Sequence, residues 1–325
     1  MKHLTILVPA GGLNLSSIVG SYKIFSRANL YWQQHGKKPL FTIQLAGLSK
    51  NVKFHDGLFT VHPTLVTTIS KTHLIIIPSL DKNFQPALEK NKKLGEWLTQ
   101  QYKRGAEIAS ICTGAFLLAS TGLVDDKSCS THWIAADAFR KMFPNVHLCT
   151  DKIITDEHGI YTNGGAFSFL NLVLYLIEKY YDKETAIYCS KVFQIEPDRQ
   201  SQSPFTIFAS QKNHDDAVVR EAQDLIEKNL HDKLAVDSLA TRLAVSRRNF
   251  DRRFMKATGN TPVEYQQRVK VEAAKKMLEL SRKNVSEVMF DVGYADSKAF
   301  RDVFRRLTGM APAEYKMRYN RERVV

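Results

Sequence analysis

Short apolar runs alternate with amphipathic stretches in the first part of the chain. The runs LTILV, LFTIQL, HLIIIP and AEIASI have the length and composition of buried strands. Residues 85–103, QPALEKNKKLGEWLTQQYK, lie between two of these runs and are predicted to form a helix. Strands that alternate with helices are typical of a mostly parallel sheet. The pattern therefore predicts an α/β N-terminal domain in which helices flank the sheet.

A cysteine stands where one of these predicted strands passes into a helix. Cys112 follows AEIASI and precedes TGAFLLAS, and the small residues Ser110 and Gly114 lie two positions away on either side. Small residues at these positions suit a sharp strand-to-helix turn, here called the elbow. The sulfur would lie in a cleft at the helix N-terminus, where the helix dipole lowers a thiol pKa. This placement suits a nucleophile, but cysteines are also common as inert core residues, so both interpretations stay open.

Helical periodicity in the last third of the chain repeats after fifty residues. SRRNFDRRFMKATGNTPVEY (246–265) returns as DSKAFRDVFRRLTGMAPAEY (296–315). Each copy predicts a short amphipathic helix, a turn, and a second helix that starts at a cap, Ser246 or Asp296, and buries two phenylalanines. A long helix over 265–280 would hold the copies at a fixed separation. The pattern predicts an all-α C-terminal domain with two helix-turn-helix units.

Positive charge is concentrated in this repeated region. The chain has a formal net charge of +13, and residues 216–325 contain 23 Lys and Arg against 16 Asp and Glu. Charged helix faces are often only solvated, but here both copies place cations opposite the buried phenylalanines. A surface of this kind favours a nucleic-acid partner.

Residues 217–320 resemble the DNA-binding domain of AraC-family transcription regulators, whose two units end in the G-x-x-P-x-x-Y pattern seen twice here. The resemblance implies that double-stranded DNA is the partner and that 246–255 and 296–306 are the recognition helices. The candidates for contacts to base edges are Arg248, Asp251, Arg252, Ser297, Lys298 and Arg301. The candidates for phosphate contacts, which set affinity but carry no sequence information, are Arg247, Arg253, Arg305 and Arg306.

Residues 1–195 resemble the PfpI-like branch of the class I glutamine amidotransferase superfamily, through ICTGA, STHW and TNGGAFS (162–168). Joined to the C-terminal repeat, this segment is similar to the sensor domain of GlxA-type AraC-family regulators. The resemblance implies a ligand pocket whose candidate residues are Cys112, Thr113, His132, Ser16 and Gly164. Related enzymes have an acidic residue in the loop after the first strand, where this chain has Ser16, and no Asp or Glu precedes Asp56. The missing carboxylate favours a sensor pocket over a catalytic site.

Several other features bear on partners and location. Residues 196–216 contain two prolines and little periodicity, which predicts a linker between domains 1–195 and 217–320. No apolar run approaches the length of a membrane span, and the N-terminus lacks a signal-peptide pattern. The four cysteines form no CxxC pair, which argues against a disulfide framework and a zinc site. We expect a cytoplasmic protein without a metal or cofactor.

The leading hypothesis is a transcriptional regulator that binds an unidentified small-molecule effector and forms a homodimer, with RNA polymerase as a further candidate partner. One alternative is a cysteine-dependent hydrolase or amidotransferase-like enzyme with an attached DNA-binding domain. Another is a non-specific nucleic-acid packaging protein, which would bind all sequences alike.

Overall fold

The chain folds as two compact units, Met1–Gln202 and Ser203–Val325. The structure is a computed structural model, and it describes residues 1–81, 83–197, 199, 201–231 and 235–320. The predicted linker, residues 196–216, is divided between the two units. Gln202 is buried in the first unit, whereas Phe208 packs against the core of the second. We call residues 203–216 the connector.

The first unit contains strands and helices that alternate along the chain. The strands are β1 (Lys2–Val8), β2 (Phe41–Gly47), β3 (Val52–Phe54), β4 (Phe59–Val61), β5 (Thr64–Leu65), β6 (Leu74–Ile77), β7 (Glu107–Ile111), β8 (Ser128–Cys129), β9 (His147–Leu148), β10 (Ile154–Glu157) and β11 (Ile160–Asn163). The helices are α1 (Leu15–Gln34), α2 (Phe84–Lys90), α3 (Lys92–Lys103), α4 (Ala115–Ala119), α5 (Ala136–Met142), α6 (Phe169–Tyr180) and α7 (Lys183–Phe193).

A seven-stranded sheet organises this unit, in the order β10-β11-β7-β6-β1-β2-β5. Only β10 runs antiparallel to its neighbour in this sheet, and every other pair is parallel. The register places Ile6 of β1 between Leu45 of β2 and Ile76 of β6. This arrangement confirms the predicted mostly parallel sheet. Since parallel strands share one carboxyl edge, the loops after β1, β6 and β7 all start at the same edge.

Apolar side chains cover both faces of the sheet. Leu4, Ile6 and Val8 of β1 belong to one buried cluster, together with residues of α1, α6 and α7. Leu7 belongs to a second cluster with residues of α3 and α4. Side chains alternate between the two faces of a strand, so a strand covered on both faces is apolar throughout. This burial explains why the strand runs could be found as continuous apolar segments.

The helix predicted over 85–103 is wrong in one respect, because the structure has two helices, α2 and α3, that meet at Asn91. Asn91 is fully buried. Its side-chain amide donates to the carbonyl of Ala10 at 2.8 Å, and its side-chain oxygen accepts from the N–H of Ala10 at 2.8 Å. The bend is thereby fixed to the loop after β1. The amphipathic pattern continues through the bend, so periodicity alone shows a single helix.

The second unit is helical. Its helices are α8 (Ala217–Lys228), α9 (Val236–Arg242), α10 (Arg247–Thr258), α11 (Pro262–Leu280), α12 (Val285–Asp291), α13 (Ser297–Thr308) and α14 (Pro312–Tyr319). One buried cluster joins α8, α9, α10 and the start of α11, and another joins the rest of α11 to α12, α13 and α14. Two helix-turn-helix units are therefore present, as predicted. None of the helices in the described part of the chain is long and apolar enough to cross a membrane.

Helix α11 connects the two helix-turn-helix units and contributes to both cores. Tyr265, near its start, is fully buried in the first core, while Val271, Ala274 and Leu278 are buried in the second. The Tyr265 hydroxyl donates to Glu227 of α8 at 2.7 Å, and the Tyr315 hydroxyl makes the matching bond to Glu279 of α11. Helix α11 therefore supports the second helix-turn-helix unit as α8 supports the first helix-turn-helix unit.

Candidate nucleic-acid interface and elbow pocket

Helix α10 has one buried and one exposed face. The Ser246 side chain caps its start by accepting from the N–H of Asn249, and Gly259 ends it at a φ of 69°. Phe250 and Phe254 are buried, with ring centroids 5.5 Å apart. Residues three or four positions apart share a helix face, so Arg248 and Arg252 lie on the other side, where both are exposed. These two predicted base contacts are accessible to a partner.

Two further predicted DNA contacts on α10 are paired with each other. Arg247 Nε donates to the Asp251 carboxylate at 3.0 Å, and Arg247 Nη1 donates to Asp237 of α9 at 2.9 Å. An exposed ion pair of this kind stabilises a protein by less than about 1 kcal/mol. The pair nevertheless orients Arg247 and reduces the local positive charge at the start of α10.

Arg253, a predicted phosphate contact, is also paired. Its guanidinium donates to both carboxylate oxygens of Asp216, at 2.6 and 2.8 Å. Asp216 itself caps α8 by accepting from the N–H of Val219. The bonds from Arg253 and the cap hold the pKa of Asp216 below its usual value, against the opposing effect of burial. The structure therefore uses Arg253 to connect α10 to α8.

Helix α13 repeats the arrangement with a more open charged face. Asp296 caps it by accepting from the N–H of Ala299 at 2.6 Å, as predicted, and Phe300 and Phe304 are buried. Exposed residues on the helix include four of the predicted DNA contacts: Ser297, Lys298, Arg301 and Arg305. The exposed Arg306 donates to Gln267 of α11 at 2.6 Å. Cations, the small polar Ser297 and one carboxylate, that of Asp302, therefore lie on the exposed side of α13.

The elbow lies at the carboxyl edge of the sheet, directly after β7. Cys112 has a left-handed backbone conformation, with φ 56°, and its side chain is 4% exposed. A Cβ atom on Gly114 would lie 2.6 Å from the carbonyl oxygen of Pro78, so this position has no room for a side chain. The close packing of the turn against the end of β6 therefore requires the small residue on which the elbow prediction rested.

The environment of the Cys112 thiol does not favour a thiolate. Burial raises the pKa of Cys112, and hydrogen bonds with Ser79 and Thr113 offset this only in part. The hydroxyls of Ser79 and Thr113 are themselves hydrogen-bonded at 2.8 Å. A thiol with a raised pKa is protonated at neutral pH and is a weak nucleophile. Within the described residues, no group of three or more His, Cys, Asp or Glu is arranged to hold a metal ion.

The other predicted pocket residues are placed around this turn by different elements. Ser16 donates to the side chain of Asn14 in the cap of α1, and its buried neighbour Ser17 accepts from the N–H of Ser79 at 3.4 Å. His132 accepts from the N–H of Ile134 through Nδ1 at 3.1 Å. Its neighbour Thr131 donates to the carbonyl of Cys112 at 2.9 Å. Ser17, Ser79 and Thr131 have direct contacts in this network, and sequence reasoning missed all three because small hydroxyl residues carry no distinctive pattern.

Gly164 is predicted as a pocket residue, and the structure shows why no larger residue fits at this position. A Cβ atom there would lie 1.8 Å from Nε2 of Gln202. Gln202 is 3% exposed and also contacts the segment that contains Thr131 and Trp133. No sequence pattern singled out Gln202, because its partners lie 38 or more positions away along the chain.

A separate cavity of about 510 Å³ lies in the first unit, between α6, α7 and the start of β10. Its lining includes Leu174, Tyr175, Lys183, Ile187 and Arg199. None of the five predicted pocket residues contributes to this lining. The cavity is therefore distinct from the elbow.

Each unit contains a segment that matches a known protein family model. Residues 41–179 match the model of the DJ-1/PfpI family, and residues 239–318 match a model described as a helix-turn-helix domain. The chain joins a DJ-1/PfpI domain to an AraC-type helix-turn-helix domain. Both resemblances predicted from the sequence are thereby confirmed.

Two proteins similar to this chain are named as HTH-type transcriptional regulators. The HTH-type transcriptional regulator GbdR of Pseudomonas aeruginosa is 26% identical over 219 residues, which cover 67% of this chain and 59% of GbdR. The HTH-type transcriptional regulator GlxA of Rhizobium meliloti is 26% identical over 219 residues, which cover 66% of each chain. The match thus spans less than two thirds of the length of GbdR.

The fold of the DJ-1/PfpI domain is also found among solved structures. A ThiJ/PfpI family protein from Pseudomonas syringae has a TM-score of 0.51 at 20% identity, covering 75% of this chain and 90% of that protein. At this identity the likeness concerns the fold alone. It agrees with the mostly parallel sheet of the first unit.

Proposed function

We propose that this chain is a sequence-specific DNA-binding transcriptional regulator whose DJ-1/PfpI domain senses a small metabolite. The observation that carries the proposal is the repeated geometry of α10 and α13. Each helix starts at a side-chain cap, buries two phenylalanines and exposes cations on the opposite face. Two such helices, joined by one rigid helix, suit binding in successive major grooves about 34 Å apart.

We assign base recognition to exposed side chains in the first half of each of these helices. Asp251, which is paired with Arg247, remains a candidate for a base contact. Arg248, Arg252 and Arg301 can each place a guanidinium against guanine O6 and N7, and one good bidentate contact contributes about 1–3 kcal/mol of discrimination. Arg305 and Arg306, farther along α13, suit phosphate contacts. The similarity to GbdR and GlxA, both named as HTH-type transcriptional regulators, supports the DNA-binding function.

A sensing role for the elbow pocket follows from the state of Cys112. Its thiol is buried with a raised pKa. Ser16, expected in the loop after β1, lies instead in the first turn of α1, and the resemblance implies an acidic residue at this position in related enzymes. A ligand that binds one state of the protein more tightly shifts the population of states and so changes DNA binding. We propose that the effector is a small metabolite, that the protein acts in the cytoplasm as a homodimer, and that RNA polymerase is a further partner.

Selection from a random-sequence DNA library tests the DNA-binding function with the full-length chain. We expect recovery of one sequence motif that binds at least a hundredfold more tightly than unrelated DNA. Arg252→Ala should relax preference at one position of the motif, while Arg306→Ala should weaken all sequences alike. Arg140→Ala, an exposed cation of the first unit, is the matched control. Equal affinity for all sequences would indicate a packaging protein instead.

A second candidate function is catalysis, because the left-handed backbone at Cys112 matches the strained turn of a nucleophile. Isothermal titration calorimetry with a panel of amino acids and methylated amines distinguishes the two functions. Heat that saturates at a defined stoichiometry supports a sensor. Heat flow that continues after each injection and disappears in Cys112→Ser supports an enzyme.

A further inference from the structure

Gln202, the last residue of the first unit, is buried and makes several hydrogen bonds, although it lies directly before the connector. Its side chain is buried at 3% exposure, and its backbone N–H donates to the carbonyl of Asp151 at 2.8 Å. The preceding residue, Ser201, forms an isolated bridge with Lys152. The connector begins immediately after Gln202, so this residue is where the first unit holds the chain that leads to the helix-turn-helix domain.

The Gln202 carboxamide lies in a polar site made almost entirely of backbone carbonyls. Its Nε2 atom has three carbonyl oxygens within 3.2 Å, those of Thr131, Thr150 and Lys152, and the hydroxyl of Ser130 at 3.3 Å. Its Oε1 atom accepts from the N–H of Trp133 at 3.3 Å. The amide nitrogen has two protons, so it can donate to two of these four acceptors, and its removal would leave buried acceptors without a donor, which is unfavourable.

A short path of hydrogen bonds links this carboxamide to the elbow. Gln202 Nε2 donates to the carbonyl of Thr131 at 3.0 Å, and the Thr131 hydroxyl donates to the carbonyl of Cys112 at 2.9 Å. Gly164 closes the site from the other side, where any side chain would collide with Nε2 of Gln202. Three of the segments that contain predicted pocket residues, at 112–113, 130–133 and 162–168, therefore meet at or next to this path.

The connector is also anchored a few residues after its start, within the second unit. The Lys275 ammonium donates to the carbonyl of Thr206, and the N–H of Phe208 donates to Glu272 at 3.0 Å. Lys275 and Glu272 are themselves paired at 2.7 Å and largely buried in α11. Only a few residues separate Gln202 from these anchors. A displacement of Gln202 therefore moves a short segment that is held at both sides, whereas a long flexible linker would not transmit it.

We propose that Gln202 couples the elbow pocket to the helix-turn-helix domain, as a positioning residue that senses the Cys112 turn through Thr131 and holds the start of the connector. The proposal rests on the sensor function proposed above. A ligand that moves the 130–133 segment changes the carbonyls around the carboxamide and so alters the position of the residues that follow. The ligand class is a small molecule that contacts the Cys112 turn, and the coupling residue itself does not need to touch it.

The test uses the full-length chain and needs no identified effector. Gln202→Leu removes the carboxamide, and Gly164→Ala displaces it without changing Gln202. Gln101→Leu is the matched control, because Gln101 is a buried glutamine at 1% exposure that bonds to the N–H of Thr72 instead. Two readings are taken from each protein: the rate of Cys112 alkylation by iodoacetamide in a Cys149→Ser background, and hydrogen–deuterium exchange of the backbone at 203–208.

We expect Gln202→Leu and Gly164→Ala to raise both the alkylation rate and the exchange rate at least fivefold, while Gln101→Leu changes neither by more than twofold. A change at the connector without a change at Cys112, or the reverse, overturns the proposal. If Gln202→Leu does not fold, Gln202→Glu replaces it. Its carboxylate faces carbonyl oxygens at pH 8 but donates a bond when protonated, so the ratio of its exchange rate to that of the parent protein at the same pH should be closer to one at pH 5 than at pH 8.

These measurements do not depend on DNA, so they separate the coupling from the regulatory function. If the two sites respond together but the chain shows no sequence preference in DNA selection, the proposed function fails and the coupling stands. If the chain selects a DNA motif but the two sites respond independently, the coupling fails and the function stands.

Discussion

Arg253 donates two hydrogen bonds to Asp216, at 2.6 and 2.8 Å, and so joins α10 to α8. The sequence predicts Arg253 as a phosphate contact because it lies on a basic helix. In the folded chain its guanidinium binds the carboxylate of Asp216, which caps α8, and its predicted phosphate contact stays a prediction. The two roles make different predictions for the same substitution.

We expect Arg253→Ala to lower the free energy of unfolding by about 1 kcal/mol, because both partners are partly buried and the helix cap is weakened. Arg253 holds the pKa of Asp216 below its usual value. The stabilisation is therefore present above the ordinary pKa of an aspartate and is lost as the pH falls through the lowered value. Urea unfolding at pH 7 and pH 3 measures this, and the effect should be smaller at pH 3. Arg252→Ala, on the exposed face, serves as the control and should change stability little.

The salt dependence of DNA binding distinguishes phosphate contacts from structural cations. For Arg305→Ala or Arg306→Ala we expect the slope of log K against log salt concentration to decrease in magnitude by about 1, since one fewer phosphate is neutralised. For Arg253→Ala the slope should remain near that of the parent protein, because the ion pair with Asp216 already occupies this side chain. Fluorescence anisotropy between 50 and 200 mM salt measures the slopes. An equal decrease for Arg253→Ala would restore it as a phosphate contact.

The reactivity of Cys112 should be low at neutral pH. Burial raises its pKa, so in a Cys149→Ser chain we expect the alkylation rate to keep rising above pH 9 without a plateau near pH 7. Ser79→Ala removes a hydrogen bond that lowers this pKa and should shift the profile to higher pH. Mass spectrometry of the Cys112 peptide after iodoacetamide treatment follows the reaction. A plateau below pH 8 would instead indicate an activated thiolate and favour the enzyme.

The matching tyrosine–glutamate bonds should contribute similarly to the two helix-turn-helix units. Tyr265→Phe and Tyr315→Phe each remove a hydroxyl that donates to a carboxylate, of Glu227 and Glu279 respectively. Hydrogen bonds to charged groups contribute about 1.5–3 kcal/mol, so both variants should melt at lower temperature than the parent. Tyr22→Phe, in which the ring is half-exposed, is the control. A loss confined to one variant would show that the two copies are not equivalent in stability.

Features set by neighbouring residues could be predicted from the sequence. The caps Ser246 and Asp296, the glycine after α10 and the small residue Gly114 in the elbow each follow from local backbone geometry, and the structure places them as expected. The sheet followed from apolar runs because its strands are covered on both faces.

Features set by distant partners could not be predicted in this way. The bend at Asn91 depends on Ala10, and the buried carboxamide of Gln202 depends on loops that start at residues 130 and 150. The pairing of Arg253 with Asp216 spans 37 positions. In each case the residue type is ordinary and only the folded chain supplies its partner. The roles assigned to individual arginines on α10 and α13 remain predictions for the DNA-binding experiments.

The sharing of α11 between two cores has a consequence for changes in chain length. A residue inserted between Tyr265 and Val271 would rotate everything after it by about 100° around the helix axis and advance it by about 1.5 Å. Either one core would lose its native contacts with α11, or α11 would have to be interrupted to keep both sets of contacts. Even if both cores formed, the orientation of α13 relative to α10 would differ from that in the native chain. The number of residues in α11 thus sets the angle between the exposed faces of α10 and α13. Substitutions in α11 should therefore be tolerated far better than insertions or deletions.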